Sequence, residues 1–367
     1  MQNVTISSQT VGRAVRPSGR LRLGFVPLTD CAPLAVAQEL GIFQRHGVAV
    51  SLSRELGWAS VRDKMIYGEL DAAHALGPML FQLALGLTGN TCACFTPLIL
   101  SAQGNTITLS RRLWNAGVRA AASLKAFRAG KRTPEPLTFG IVFPYSFHHL
   151  LLRDWLAAGG LAIDRDVKLV VVPPPQMVAN LKAGHLDGFC AGEPWGSLAV
   201  ETGTGHCVAS SARLSPMHPE KALLVRQSVL DARPDEVVAI TAALLDACAW
   251  CDVAANADQL SQLLAQPRYL GISRAAILKS LQPVPAPVGD GTRSMLFHGG
   301  DVNDPTLDKA GVMMSGLGRF GLLAQPVRAA QLQILFRSDL FQTAAQKPIQ
   351  RVPAEIVTHH EIAFAAN

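Results

Sequence analysis

Sulfur, imidazole and basic side chains carry most of the chemistry a chain can offer, and their spacing here narrows what they can do. Seven cysteines are present, an odd number with no regular framework. That pattern fits reduced, buried thiols better than a disulfide scaffold. Cys248 and Cys251 form a C-x-x-C pair, but it lies inside LLDACAWCDVAANA, which reads as helix. Cys92 and Cys94 in CACF invite the thought of an enzyme, yet no nucleophile–base–orienter set accompanies them, so no catalytic residue is expected. No second Cys pair or His cluster has zinc-ligand spacing, and no metal or cofactor is expected. YSFHHLLLRDW holds two adjacent histidines, His148 and His149. Adjacent side chains on a helix diverge by about 100°, so only one of them can face a given small ligand. Ser146 stands where it would cap that helix. Lys221 in HPEKALLV, taken alone, reads as a surface lysine at a strand start.

The net charge is +6, and four arginines (Arg13, Arg16, Arg20, Arg22) precede the first acidic residue, Asp30. A second basic run includes Arg119, Lys125, Arg128, Lys131 and Arg132. Both read as solvated surface. No aromatic-interleaved basic motif accompanies them, so direct nucleic-acid binding is not expected. A mildly basic balance also suits an anionic ligand.

Hydrophobic residues make up 49% of the 367 and charged ones 16%, which is the composition of a folded chain long enough for two lobes. Residues 21–30 read as a buried strand and turn, 31–47 as a helix stopped by Gly47, and 48–56 as a second strand. Helical spacing returns over 58–70, and 71–76 is a short strand. This β-α-β-α-β order implies parallel strands with helices on both faces. The order recurs: strand 136–143, helix 146–160, strand 167–173, helix 176–184, strand 186–192. YGELDAAHALGP (67–78) even resembles KAGHLDGFCAGEP (182–194). Two equivalent α/β lobes follow. NTITLS (105–110) leads from one to the other, and the chain returns near residues 206–226. The expected division is a basic flexible arm at 1–20, one lobe from 21–104 and 213–345, the other from 105–212, and a tail at 346–367.

The first 20 residues lack a charged start, an apolar stretch and a small-residue cleavage site. The longest apolar run, around 78–87, is too short to span a bilayer. These features lead to the expectation of a cytoplasmic protein without a membrane partner.

Residues 24–79, GFVPLTDCAPL through HALGPM, and residues 170–200, VVVPPPQMVANLKAGHLDGFCAGEPWGSLAV, resemble the nitrate- and bicarbonate-binding receptors of ABC transporters. The likeness runs from about residue 21 to 300 and keeps the motif order. It implies a two-lobed fold of the periplasmic-binding-protein type II, with the ligand cleft between lobes. Without an export signal, the chain is most similar to the cytoplasmic NasS-type nitrate/nitrite sensors. That likeness implies a partner, an ANTAR-type antiterminator (NasT-like), sequestered without ligand and released on nitrate or nitrite binding. A solute-binding receptor of a nitrate or bicarbonate transporter is the alternative.

Nitrate is a flat monoanion with no proton to give, so its site needs donors around the rim, one cation and no carboxylate in first contact. The resemblance assigns Lys221 as the cation and His148 as a donor in the first turn of its helix, with Ser146 beside it. Trp58 matches the tryptophan that lines the family's pocket, and Thr29 is a minor donor at a strand end. Asn105 stands where nitrate receptors tend to have glutamine, a side chain about one carbon longer. No further carboxylate is expected beside the lysine and histidine.

Overall fold

A strand that is apolar from end to end must be covered on both faces, and the chain contains several. The computed structural model describes residues 19–130 and 135–347. The expected arm up to residue 18, Lys131, Arg132 and the tail from residue 348 lie outside the described residues.

Six strands form the first sheet: β1 (Leu21–Phe25), β2 (Val50–Arg54), β3 (Ala72–Leu76), β4 (Cys94–Gln103) and, later in the chain, β10 (Pro219–Arg226) and β11 (Met295–Leu296). Their order is β11-β4-β10-β3-β1-β2. The second sheet holds β5 (Asn105–Ser110), β6 (Leu137–Ile141), β7 (Val167–Val171), β8 (Gly188–Gly192) and β9 (Gly205–Ser210), in the order β7-β6-β8-β5-β9. β1 pairs parallel with β2 and β3, and β6 pairs parallel with β7 and β8, as βαβ connections require. β10 and β5 are the antiparallel insertions that join the halves. Gly104, at φ 88, sits on the passage from β4 to β5, a conformation glycine adopts without strain.

The expected helix over 31–47 is two helices, Ala32–Glu39 and Ile42–Arg45, broken where Gly41 takes a left-handed conformation. Every residue of β4 is buried, although Pro97 disfavours a central strand. The β4–β10 register shifts between Leu223 and Val225, opposite Thr96 and Pro97. That irregularity lets the ladder pass the missing N–H. Among the described residues no single helix is long and apolar enough to cross a membrane. All seven cysteines are free thiols, and Cys248 and Cys251 are buried in the Pro234–Asp252 helix.

The lobes are closed on one another. One apolar core runs through both, from Leu28 and Trp58 in the first to Phe143, Phe147, Phe189 and Trp195 in the second. Thr29 N–H donates to Glu193 O at 2.8 Å, and Trp195 Nε1–H to Pro27 O at 3.2 Å. Glu193 is buried at this seam, where its Oε2 accepts from Ser197 N–H at 3.0 Å. Burial pushes its carboxyl up to about 7, against hydrogen bonds from Ser197 and Thr106. A carboxyl raised in the folded state stabilises fully below its unfolded pKa, and that stability fades as pH rises from about 4.5 through 7. Glu193→Gln should therefore gain stability relative to the parent between pH 5 and pH 8, by on the order of 1–2 kcal/mol. Urea unfolding at the two pH values checks this, and a pH-independent difference would refute it.

Candidate ligand-binding site

β10 carries the site because a bulge breaks its alternation. Its pairing with β4 slips on both sides of Lys221, and such a slip re-aims side chains that would otherwise face opposite ways. Glu220 and Lys221, adjacent in sequence, both turn into the interior, and Lys221 Nζ lies 2.7 Å from Glu220 Oε1. Asp30, in the short turn after β1, approaches the same ammonium at 2.8 Å. His74, in the middle of β3, stands 2.9 Å from the other oxygen of Asp30. His218, just before β10, reaches Glu220 Oε2 at 3.1 Å. From the second lobe, His148 in the first turn of the Phe147–Ala158 helix puts Nδ1 3.7 Å from Glu220 Oε1. Asn105, the first residue of β5, donates from Nδ2 to Glu220 Oε2 at 2.7 Å. Trp58, at the start of the Trp58–Ile66 helix, closes one wall, its ring 5.8 Å from the His74 ring and 5.6 Å from Lys221 Nζ. Asp30, His74, His148, Glu220 and Lys221 have no exposed surface.

Charge at this depth survives only by pairing. Burial pushes the Lys221 ammonium down, but Asp30 and Glu220 more than offset this and hold it above its ordinary value. Burial pushes both carboxyls up. Lys221 and His74 hold Asp30 below its usual value all the same, and Lys221 with His148 hold Glu220 well below the carboxylate range. His148 goes the other way: burial lowers its imidazole to about 4, and the pull of Glu220 is too weak to prevent it.

Several buried polar atoms here make no hydrogen bond: Trp58 Nε1, both ring nitrogens of His148, His74 Nδ1, Asn105 Oδ1 and Ser101 Oγ. Unmade bonds at such depth cost about 1–3 kcal/mol each, so a cluster of them marks a place built for something else to bind. The set can grip a small polar molecule through the Trp58 and His148 N–H groups while the lobes exclude water. Among the described residues, no group of three or more His, Cys, Asp and Glu side chains is arranged as a metal site.

The structure brings Lys221, His148, Trp58 and Asn105 together, and it corrects how three groups of candidates were expected to act. Lys221 is not a free cation awaiting an anion but is shared between two carboxylates, so the expectation of no carboxylate beside it fails. The Asn105 donor is spent on Glu220, and its buried oxygen makes no hydrogen bond. Thr29 and Ser146 do not offer free donors: the Thr29 hydroxyl bonds Ser280 Oγ across 2.7 Å. Ser146 Oγ–H donates to Phe143 O at 2.6 Å and accepts from His149 N–H, capping its helix. His149 turns away, with Nδ1 2.8 Å from Pro144 O. The residues missed were Asp30, His74, His218 and Glu220. His74 left a signal, a lone imidazole in the apolar run AAHAL. Asp30 follows the carboxyl end of β1, where ligands of open α/β sheets gather.

Gly192, the last residue of β8, makes room for this meeting. A Cβ there would stand 3.4 Å from His148 Nε2, 3.5 Å from Asp30 Oδ2 and only 2.8 Å from Leu28 Cδ2. Gly192→Ala should cost about 1–3 kcal/mol through overpacking against buried Leu28 and weaken ligand binding by crowding His148. Denaturation and ligand titration of the variant check both, and unchanged binding would show that this gap is not part of the site.

Two α/β lobes closed over a buried polar cluster define the two-lobed fold of the periplasmic binding proteins. Residues 15–265 match the NMT1-like family, and the chain belongs to it. Over 335 residues it is 37% identical to the nitrate import ATP-binding protein NrtC of Synechocystis sp., a match covering 89% of this chain and 50% of the relative. It is also 37% identical over 341 residues to the bicarbonate transport ATP-binding protein CmpC of Synechococcus elongatus, covering 92% of this chain and 51% of that one. The chain thus spans about half the length of these curated relatives. Among solved structures, the periplasmic nitrate-binding protein NrtA of Synechocystis superposes with a TM-score of 0.82 at 29% identity, covering 91% of each chain.

Proposed function

We propose that this chain is a non-enzymatic receptor for a small planar oxyanion, nitrate or nitrite first and bicarbonate second, serving an ABC-type transport system. The observation that supports it is the convergence of Trp58, His148, Asn105 and Lys221 from two lobes on one buried point, where the ring nitrogens of Trp58 and His148 lack partners. Nitrate fits such a point because its three oxygens accept from a rim of N–H groups and its charge is single. Sulfate fits worse, since it doubles the buried charge. Tryptophan emission tests the reading, because Trp58 forms a wall of the site: nitrate should change it saturably, and sulfate should not. The named relatives are transport proteins, so this reading stands ahead of a cytoplasmic sensor that holds an ANTAR-type antiterminator. Size-exclusion chromatography with such a protein separates the two. A ligand-free complex that nitrate dissolves would put the sensor first, and the absence of any complex leaves the receptor.

A further inference from the structure

We infer that the site takes its anion together with a proton, carried by His148, and that Glu220 is the residue that imposes this requirement. The inference rests on the reading of the cluster as an oxyanion site and adds a second ligand, the proton, to it.

Charge counting carries the argument. Lys221 contributes one positive charge, whereas Asp30 and Glu220 contribute two negative ones, and none of the three has exposed surface. With neutral imidazoles the cluster already holds one excess negative charge. A bound monoanion would make that two, without solvent screening, in a place where one unpaired charge is already costly. The balance is restored by a proton taken up inside the cluster. Asp30 and Glu220 are held in their charged forms by Lys221 and the neighbouring imidazoles, and Lys221 is fully used, so the remaining acceptors are imidazoles.

His148 is the imidazole placed for it. The groups facing it are Glu220 and Lys221 on β10, Asp30 in the turn after β1, and His218 before β10. Gly192 on β8 stands against its Nε2 side. His74 and His218 already direct a nitrogen at a carboxylate, at 2.9 and 3.1 Å. The ring nitrogens of both His74 and His148 make no hydrogen bond, but His74 is already seated against Asp30, whereas the nearest carboxylate oxygen to His148 is 3.7 Å away. When protonated, His148 therefore has one N–H to turn toward Glu220 and one toward a ligand. Burial keeps it neutral without ligand, and an anion arriving beside it favours the charged form. Nitrate brings no proton, so the proton comes from solvent. Bicarbonate carries one on its hydroxyl and could satisfy Glu220 directly.

The test is calorimetry of the whole chain with sodium nitrate, between pH 6 and 8.5, in buffers of different ionisation enthalpy. The expected result is a buffer-dependent heat equivalent to uptake of about one proton per nitrate, with affinity falling about tenfold per pH unit across the range. Glu220→Gln should reduce the uptake and recover affinity at pH 8.5. Should that variant not fold, the buffer comparison on the unaltered chain decides alone. Nitrate binding with buffer-independent heat and a flat pH profile would overturn the inference while leaving the oxyanion reading intact. No heat at any pH would overturn both.

Discussion

Lys221→Met should destabilise the protein by about 3–5 kcal/mol, because it removes the one cation shared by two buried carboxylates. Asp30 and Glu220 lie 2.8 and 2.7 Å from Nζ, and the methionine offers neither of them a charge or a hydrogen bond. Against a total stability of roughly 5–15 kcal/mol, that is enough to leave a sizeable unfolded population. The double variant Lys221→Met with Glu220→Gln should regain part of the loss, since one stranded charge is then gone. Urea unfolding measures both. A single variant within 1 kcal/mol of the parent, a threshold set by the usual worth of an exposed pair, would mean that the ammonium is not the keystone of the cluster.

The second large effect falls on binding. His148→Ala should weaken nitrate about 10–100-fold, the value of one charge-assisted hydrogen bond. His149→Ala should leave affinity within about threefold, a difference of under 1 kcal/mol, because its ring is tied to Pro144 O outside the cluster. Titration of the two purified variants compares them, and the reverse ranking would place the site on the other face of the helix.

The acid side of the stability curve follows from the same residue. His148 is held neutral, with a folded-state pKa near 4 against 6.5 unfolded. The unfolded chain therefore binds the proton more readily, and stability present above pH 6.5 is lost as pH falls toward 4. Bound nitrate opposes this loss where it stabilises the charged ring.

Much of the architecture could be read from the residues. LRLGF and DAAHAL announce buried parallel strands by composition, and the repeated helix-end, Gly, Leu-Asp pattern announces a second copy of the unit. β4 escaped because Pro97 argues against a strand, and only the bulge opposite Leu224 makes it tolerable. The site was half legible. Lys221, His148, Trp58 and Asn105 came from matching motifs, and they do meet. Their electrostatic role could not be read, because Glu220 next to Lys221 should point away on a regular strand, and a register slip is a tertiary event. Asp30 and Thr29 are adjacent in TDC, yet the turn sends the carboxylate to Lys221 and the hydroxyl to Ser280. Backbone direction decides that, and composition carries no record of it.

The most direct test of an oxyanion receptor built on this cluster is calorimetry of the ligand-free protein at pH 7 with nitrate, nitrite, bicarbonate and sulfate in parallel. Saturable binding of about one nitrate or nitrite per chain, bicarbonate at most weaker, and no sulfate heat is the expected result, as the buried negative charge disfavours a dianion. Sulfate bound as well as nitrate, or no heat from any of the four, would contradict the account.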